Sequence, residues 1–343
     1  MSFKTAVVLG GGAFGTSIAF VLAQNFEKVI IKVRSLDIYE QMKSGENTVY
    51  LPGQKIPANI VPALTWDEVE KEKVGSVQLL VSGLPVAAID SFCQEHLKYL
   101  EQYLSLGVPF VSLAKGIDHE SLKLPDDLFE TYFSRYRNQL MYLCGPSFAK
   151  EILDRQITLV SLAGHDRTRL MEASEMLSTS FFKAMPTTDV KGVLLGGALK
   201  NVIAIAGGIM EGLGYNHNTR AALITRGIVE MLRFGKVFGA RPETFYGPSG
   251  MGDLILTTTG ELSRNKSFGI EIAKGRSPEE IIRSQRSVVE GYKTTKAAFL
   301  IAQKHDIRAR IFSGLYMVLY QNLDPKAVLE ELMKLPPKFD DEG

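Results

Sequence analysis

The spacing of hydrophobic positions changes between the two halves of the chain. Before about Pro186, short continuous apolar runs alternate with stretches of helical periodicity such as Gly15–Gln24. The apolar runs predict strands over Thr5–Leu9, Val29–Val33, Leu79–Val81, Pro109–Leu113 and Leu140–Leu143, with Ile157–Leu162 as an added edge strand. Continuous apolar strands separated by helices are typical of a parallel sheet that is covered on both faces. The first half is therefore predicted to be a doubly wound α/β domain.

Helical periodicity alone continues after that point. The pattern predicts long helices over Val190–Gly212, Thr219–Phe238, Arg264–Lys274 and Lys293–Lys304. The β-branched alternation that marks strands is missing from these stretches. We expect a first domain over residues 1–188, an all-helical second domain over 189–335 and a disordered tail over 336–343, where the sequence is short and polar.

Composition narrows the function classes without choosing one. The chain has 343 residues, of which 45% are apolar and 22% charged, and a formal net charge of +1. This balance gives no electrostatic case for binding nucleic acid or a membrane surface. Cys93 and Cys144 lie in apolar contexts without CxxC spacing, which favours buried free thiols. The five histidines form no ligand pair, so we expect no metal site, and the N-terminus has no signal-peptide pattern.

The first turn after a predicted strand is rich in glycine. Gly10, Gly12 and Gly15 fit the pattern G-x-G-x-x-G between a strand and a helix. In that setting Gly10 allows the tight turn, Gly12 lets a pyrophosphate approach the backbone, and Gly15 lets the helix pack on the strand. The pattern predicts a Rossmann-type dinucleotide site. The alternative is a glycine-rich turn without a ligand.

The end of the second strand bears on the choice of dinucleotide. NAD-specific sites usually carry an acidic residue there, whereas this chain has Arg34 and Ser35. Both side chains can contact a 2′-phosphate, which favours use of both NAD and NADP over strict use of NAD. Alternatively, Arg34 stacks on the adenine or lies in solvent.

Lys200 and Asn201 are the only polar side chains between Gly192 and Met210. A helix that is apolar or glycine on every other face is normally buried. Burial lowers the pKa of a lysine toward the range useful for proton transfer, which makes Lys200 a candidate general acid and base. The competing readings are a membrane span, which a central lysine opposes, and a lysine that extends its ammonium to the surface.

Other polar residues occupy positions suited to a ligand. Ser263 is a natural N-cap for a helix whose first turn holds Arg264 and Asn265, a favourable place for a phosphate or for ordinary surface residues. Asp253 either pairs with Lys200 or caps a helix. A further group, Lys115 and Ser147, follows predicted strands, where parallel sheets bind ligands but where ordinary turn residues also occur.

These motifs occur together in one known family. Gly10-Gly-Gly-Ala-Phe-Gly-Thr is followed in order by Asn47-Thr-Val-Tyr-Leu-Pro-Gly, Lys115-Gly, Gly145-Pro-Ser-Phe-Ala-Lys-Glu, Leu199-Lys-Asn-Val-Ile-Ala-Ile-Ala, Thr219-Arg-Ala-Ala-Leu-Ile-Thr-Arg-Gly, Gly252-Asp-Leu, Ser263-Arg-Asn and Val289-Glu-Gly. From about residue 5 to about residue 330 the chain resembles the bacterial NAD(P)-dependent sn-glycerol-3-phosphate dehydrogenases. The resemblance implies reduction of dihydroxyacetone phosphate to sn-glycerol 3-phosphate for phospholipid synthesis, by a cytoplasmic protein that is usually a homodimer.

The resemblance also implies a role for individual residues. Lys200 matches the catalytic lysine. The positions that match substrate contacts are Lys115, Gly145, Ser147, Lys200, Asp253, Ser263, Arg264 and Asn265. The positions that match NADPH or NADH contacts, together with the glycines of the motif, are Gly10, Gly12, Ala13, Phe14, Gly15, Arg34, Lys115, Ala149, Arg264, Val288 and Glu290.

The chain departs from the family pattern at two places. Many relatives have Trp or Tyr at the position of Phe14, and many carry a cysteine within the Thr257-Thr258-Thr259 stretch. Two other function classes stay open at this point: a dehydrogenase of hydroxy acids, and a nucleotide-sensing protein that has lost turnover. The sequence leaves open the preference between NADP and NAD, the oligomeric state and feedback inhibition by the product.

Overall fold

A computed structural model describes residues 2–72, 74–284, 289–334 and 336. The first half of the chain forms an eight-stranded sheet. Its strands are β1 (Phe3–Leu9), β2 (Phe26–Lys32), β3 (Ile60–Ala63), β4 (Val77–Ser82), β5 (Phe110–Ser112), β6 (Leu140–Cys144), β7 (Thr158–Gly164) and β8 (Phe182–Thr187). The helices between them are α1 (Ala13–Leu22), α2 (Leu36–Lys43), α3 (Trp66–Glu70), α4 (Ile89–Ser105), α5 (Pro125–Phe133), α6 (Ala149–Leu153) and α7 (Arg167–Leu177).

The strand order of the sheet is β3-β2-β1-β4-β5-β6-β7-β8. Neighbouring strands are parallel except at β6 and β7, where Met141 lies opposite Gly164 and Cys144 opposite Ser161. The expectation that Ile157–Leu162 adds an edge strand was wrong in its position, because β7 lies inside the sheet and β8 forms the edge. Valine, isoleucine and leucine side chains of the central strands, including Val8, are buried against α1. The fold class is the predicted doubly wound, mostly parallel sheet.

In the described residues after β8, the regular elements are all helices. They are α8 (Val190–Gly212), α9 (His217–Val237), α10 (Pro242–Phe245), α11 (Asp253–Thr259), α12 (Arg264–Ala273), α13 (Pro278–Ser284), α14 (Glu290–Lys304), α15 (Arg310–Gln321) and α16 (Pro325–Met333). A π-helical turn, Pro248–Gly252, leads directly into α11. This half of the chain is therefore helical, as predicted. Its tail lies outside the described residues except for Pro336.

The chain groups into two compact units. The first contains residues 1–114 and 125–190, and the second contains 115–124 and 191–343. The division predicted near residue 189 falls within one or two residues of the last crossing, but the short segment Lys115–Leu124 also belongs to the second unit. A local pattern gives no sign of this excursion because the segment follows β5 like any loop of a parallel sheet.

Helix α8 is the apolar helix that the sequence singled out. It is long and apolar enough to cross a bilayer, but 89% of its most apolar 18-residue window is buried inside the protein. It is therefore packed as the core helix of the second unit. Lys200, on this helix, is only 6% exposed.

Candidate functional site

The glycine turn of the first unit lies between β1 and α1. Gly10 has a φ of +110°, and a side chain at Gly15 would lie 2.3 Å from the Gly10 carbonyl oxygen. Gly12 is the N-cap of α1, with no side-chain hydrogen bond and open space where a Cβ would stand. The first turn of α1 has no acidic residue. An open helix N-terminus of this kind accommodates a pyrophosphate, so the turn fits the dinucleotide that the motif predicts.

Asn47 supports this turn from the side. Its Nδ2 donates to the Gly11 carbonyl oxygen at 3.0 Å and lies 3.2 Å from Thr16 Oγ1. The residue is 1% exposed, so these bonds form without competition from water. Sequence reasoning gave Asn47 no role, although it begins the Asn47-Thr-Val-Tyr-Leu-Pro-Gly motif. That motif is the signal by which the residue could have been found.

The ends of β2 and β6 carry the other first-unit candidates. Arg34 and Ser35 are exposed, and Ser35 Oγ accepts a long 3.5 Å hydrogen bond from Ile38 N as the N-cap of α2. The Arg34 guanidinium has no ion pair or hydrogen bond within the part of the chain that the structure describes. It is therefore available to a ligand.

After β6, the backbone is held close to β7. A Cβ at Gly145 would lie 2.7 Å from Val160 Cα, and Ser147 Oγ donates to the Gly145 carbonyl oxygen at 2.9 Å. Ala149 is the first residue of α6. Because β1, β2 and β6 run parallel, these residues and the glycine turn follow the same carboxyl edge of the sheet.

In the second unit, one buried carboxylate joins two lysines. Lys200 Nζ donates to Asp253 Oδ1 at 3.0 Å, and Lys115 Nζ donates to Asp253 Oδ2 at 2.9 Å. Asp253 is 2% exposed. The pairing of Asp253 with Lys200, one of two sequence alternatives, is present. The bond from Lys115 was not anticipated.

Thr257 is a second hydrogen-bond partner of the Lys200 ammonium. Lys200 Nζ donates to Thr257 Oγ1 at 2.8 Å, and Thr257 Oγ1 donates to the Asp253 carbonyl oxygen at 2.6 Å. Thr257 follows Asp253 by one helical turn on α11, so both side chains approach Lys200 from the same face. Sequence reasoning missed this residue, and the i, i+4 spacing from Asp253 was the available signal.

The π-helical turn fixes the start of α11. A Cβ at Gly196 on α8 would lie 2.6 Å from the Ser249 carbonyl oxygen, so only glycine permits this contact. The contact lies one turn before Lys200 on α8 and four residues before Asp253. Short π-helical turns often occur at functional sites, and here the turn aims the carboxylate at the lysine.

The pKa values of Lys200 and Asp253 are both lower than usual, but for different reasons. Burial lowers the pKa of Lys200, and the nearby Lys115 adds to that effect against the attraction of Asp253. For Asp253, burial opposes ionisation, but the ammoniums of Lys115 and Lys200 outweigh it and hold the pKa of the carboxyl below its usual range. The result is an ionised carboxylate beside an ammonium that gives up its proton more easily than a lysine in water.

The first turn of α12 holds the predicted phosphate contacts. Ser263 Oγ accepts from Lys266 N at 3.2 Å and caps the helix. Asn265 Nδ2 donates to Asn201 Oδ1 at 2.9 Å, and Asn265 Oδ1 accepts from Gly291 N at 3.1 Å. The Asn265 side chain therefore links α12 to α8 and α14 and keeps one N–H for a ligand.

Glu290, the first residue of α14, lies within electrostatic range of three cations. It retains partial exposure, yet desolvation raises the pKa of its carboxyl, against the attraction of Arg264, Lys200 and Lys115. The second unit thus brings Glu290 and Arg264 to the same region as the lysine pair. Val288, another predicted cofactor contact, lies outside the described residues.

Comparisons with known proteins identify the family of this chain. The profile for the NAD-dependent glycerol-3-phosphate dehydrogenase N-terminus matches residues 5–170, and the profile for the C-terminus matches residues 189–330. The chain belongs to this family. Glycerol-3-phosphate dehydrogenase [NAD(P)+] of Leptospira biflexa is 40% identical over 328 residues, which cover 95% of this chain and 96% of that protein. The enzyme of the same name from Geobacter sp. is 39% identical, covering 97% of each chain.

A solved structure supports the family at the level of the fold. The crystal structure of glycerol-3-phosphate dehydrogenase from Coxiella burnetii has a TM-score of 0.86 and 30% sequence identity, and the match covers 97% of this chain and 99% of that one. The N-terminal profile matches the half of the chain that contains the sheet, and the C-terminal profile matches the helical half.

Two positions depart from the glycerol-3-phosphate dehydrogenase family pattern without removing a contact described above. Phe14 is partly buried and packs against the core of the first unit. Thr258 is 1% exposed, and its Oγ1 donates to the Leu254 carbonyl oxygen at 2.7 Å. Thr258 thus satisfies its hydroxyl within α11, and the hydroxyl that reaches Lys200 belongs to Thr257.

Proposed function

We propose that this protein is an NAD(P)-dependent sn-glycerol-3-phosphate dehydrogenase that interconverts dihydroxyacetone phosphate and sn-glycerol 3-phosphate for phospholipid synthesis. The observation that carries the proposal is the buried group of Lys200, Asp253 and Lys115 in a chain of this family. A ketone reductase needs a proton donor next to the carbonyl oxygen, and Lys200 is a buried ammonium suited to that task.

The first unit would hold the dinucleotide. The glycine turn and the N-terminus of α1 would receive the pyrophosphate, with Asn47 keeping the turn in shape and Arg34 reaching a 2′-phosphate. Ala13, Phe14 and Ala149 are further contacts that the family pattern suggests, as are Lys115, Arg264, Val288 and Glu290. When bound, the nicotinamide supplies or accepts the hydride.

Lys200 is the proposed proton donor in the direction of reduction. As the ketone carbon gains a hydride, the electron pair of the carbonyl bond moves to oxygen, and Lys200 Nζ transfers a proton to that oxygen. Lys200 is left as a neutral amine, a state that burial favours and the lowered pKa makes accessible. In oxidation the amine accepts the proton from the hydroxyl group. Asp253 and Thr257 orient the Lys200 amino group in both directions of the reaction.

The first turn of α12 is the proposed phosphate anchor. Arg264 can form two parallel hydrogen bonds to phosphate oxygens, and the free backbone N–H groups after Ser263 add an electropositive helix end. Asn265 offers its remaining N–H. The anchor would hold the ketone in the orientation that the reaction needs. The family pattern also suggests Lys115, Gly145 and Ser147 as substrate contacts.

The oligomeric state and the location are further parts of the proposal. By analogy with its family, the protein is a homodimer of the cytoplasm. Sedimentation velocity of the purified protein tests the dimer, and a single species with the mass of one chain would refute it. Cell fractionation followed by immunoblotting tests the location, and recovery in the membrane fraction would refute that part.

The decisive experiment measures oxidation of NADPH and NADH with dihydroxyacetone phosphate and, in parallel, with ketones that carry a carboxylate in place of the phosphate. We expect the phosphorylated ketone to be turned over far faster than the carboxylated ones. We expect Lys200→Met to fold, to bind NADPH and to lose at least about a hundredfold in kcat, because it loses the proton donor and its charge. Preference for a carboxylated ketone, or near wild-type turnover by folded Lys200→Met, would overturn the proposal.

A further inference from the structure

A second buried lysine of the helical unit takes no part in the proposed chemistry. The Lys266 side chain is 8% exposed, and its Nζ lies 3.1 Å from Glu211 Oε2. The same Nζ donates to the Thr259 carbonyl oxygen at 3.3 Å. Lysine is rarely buried unless it is paired, and here Glu211 and the Thr259 carbonyl oxygen are the partners that hold the ammonium in place.

The partners of Lys266 lie on the two helices that carry the proposed acid–base group. Glu211 is near the end of α8, the helix of Lys200, and Thr259 is the last residue of α11, the helix of Asp253 and Thr257. Lys266 itself lies in the first turn of α12, two residues after Arg264. One ammonium therefore ties the ends of both helices to the start of the helix that holds the phosphate anchor.

Helices α8 and α12 also pack in direct backbone contact close to Lys266. A Cβ at Gly208 would lie 2.0 Å from the Lys266 carbonyl oxygen, and a Cβ at Gly269 would lie 2.1 Å from the Ile205 carbonyl oxygen. The two helices thus touch through backbone atoms. At such a contact, a change in tilt of α12 moves its first turn and Arg264 with it.

Arg220 fixes the shared acid of this network. Its Nη2 donates to Glu211 Oε2 at 2.6 Å, so Glu211 is held by α9 as well as by Lys266. The carboxylate keeps its place even when one partner is lost. For that reason, replacement of Lys266 should affect α12 more than it affects α8.

We infer that Lys266 is a positioning residue that holds the first turn of α12, and with it Arg264, in register with the Lys200–Asp253 pair. The inference rests on the proposed function, because it takes Arg264 as the anchor of a substrate phosphate. Lys266 does not contact the substrate. It sets where the phosphate is held relative to the proton donor.

The test compares dihydroxyacetone phosphate with dihydroxyacetone, which lacks the phosphate, in four variants of the full chain. Lys266→Met keeps the length of the side chain and removes its charge. Lys266→Arg keeps charge and donors. Lys274→Met is the matched control, because Lys274 is the C-cap of the same helix but forms an exposed pair with Glu271 at 2.7 Å. Arg264→Ala tests the anchor itself.

We expect Lys266→Met to raise the KM for dihydroxyacetone phosphate about tenfold or more, because a displaced anchor misplaces the ketone. Its kcat/KM for dihydroxyacetone should stay close to the wild-type value, and Lys266→Arg should restore most of the loss. Lys274→Met should behave as the wild type. Equal losses with both substrates, or no loss at all, would overturn the inference.

Two further results separate the failure of this inference from that of the proposed function. If Arg264→Ala impairs only the phosphorylated substrate while Lys266→Met impairs both equally, the anchor stands and Lys266 is merely structural. If Arg264→Ala impairs both substrates equally, the phosphate anchor itself is wrong, and the inference falls with it. Should Lys266→Met fail to fold, Glu211→Gln breaks the same ion pair at a partly exposed partner and is judged by the same criteria.

Discussion

Lys115 Nζ lies 2.9 Å from Asp253 Oδ2, although 138 positions separate the two residues in the sequence. The same carboxylate binds the Lys200 ammonium through its other oxygen. Two like charges are therefore held in one buried region by a single counter-charge. Removal of that counter-charge should change the chemistry of both lysines at once.

Asp253→Asn should lower kcat and also shift its pH dependence. Asp253 favours the charged form of Lys200, so its loss lowers the pKa of Lys200 further. The alkaline loss of activity in reduction should then occur at lower pH than in the wild type, with kcat down by about a hundredfold at neutral pH. A pH profile of kcat checks this. An unchanged profile with reduced kcat would show that Asp253 acts only by shape.

The two directions of the wild-type reaction should depend oppositely on pH. Reduction needs protonated Lys200, so kcat/KM should fall as pH rises through the pKa of this residue. Oxidation needs the neutral amine, so kcat/KM should rise over the same interval. Because burial lowers the pKa of Lys200 from its ordinary value of 10.5, both changes should begin below pH 10.5. Parallel profiles in the two directions would contradict the assignment of Lys200 as proton donor.

Thr257→Val should reduce kcat by about tenfold because it removes a hydrogen-bond partner that orients the Lys200 ammonium. The binding of NADPH should not change. Thr258→Val is the matched control, since Thr258 is also buried on α11 but its hydroxyl bonds only to backbone carbonyls. Steady-state kinetics and NADPH titration distinguish the two. Equal losses in both variants would point to the packing of α11 instead.

Arg34→Ala should weaken binding of NADPH more than binding of NADH. Arg34 follows β2, where an acidic residue would select a free ribose, and its guanidinium is exposed. Fluorescence titration of each dinucleotide measures the two dissociation constants. If both rise by the same factor, Arg34 stacks on the adenine and does not contact the 2′-phosphate.

Substitutions at two adjacent glycines of α8 should have opposite effects on stability. Gly208→Ala forces a methyl group against the Lys266 carbonyl oxygen and should lower the free energy of unfolding by about 1–3 kcal/mol or more. Gly207→Ala meets only ordinary contacts, the nearest at 3.4 Å from Leu223 Cδ2, and should raise it by up to about 1 kcal/mol through helix propensity. Thermal and urea unfolding of the two variants check the signs.

The sequence predicts the elements whose patterns are local and strong. Helix α8 has the predicted bounds because an unbroken apolar stretch can be read without knowing what covers it. The strands β3 and β8 were missed, because each contains a proline and polar or exposed positions, which local patterns assign to turns. The antiparallel pairing of β7 depends on the direction of the distant strand β6, and no local pattern contains that information.

The candidate site was predictable in part for the same reason. Lys200 stands out because it is a charged residue in an otherwise apolar stretch of sequence. Asn265 shows the limit, since its place in a capped first turn suggests a free ligand contact, whereas Asn201 and Gly291 engage most of its amide. Lys266 was not singled out at all, because its burial depends on where α8 and α11 end in space.

The path of the chain has a consequence for recombination. The backbone passes between the two units after residues 114, 124 and 190, and Lys115 belongs to a short excursion well before the helical part of the sequence. A chimera joined at residue 189 would take Lys115 from one parent and its partner Asp253 from the other. The two units of this protein therefore cannot be exchanged between relatives at a single junction. Exchange of a whole catalytic centre requires moving residues 115–124 together with everything after residue 190.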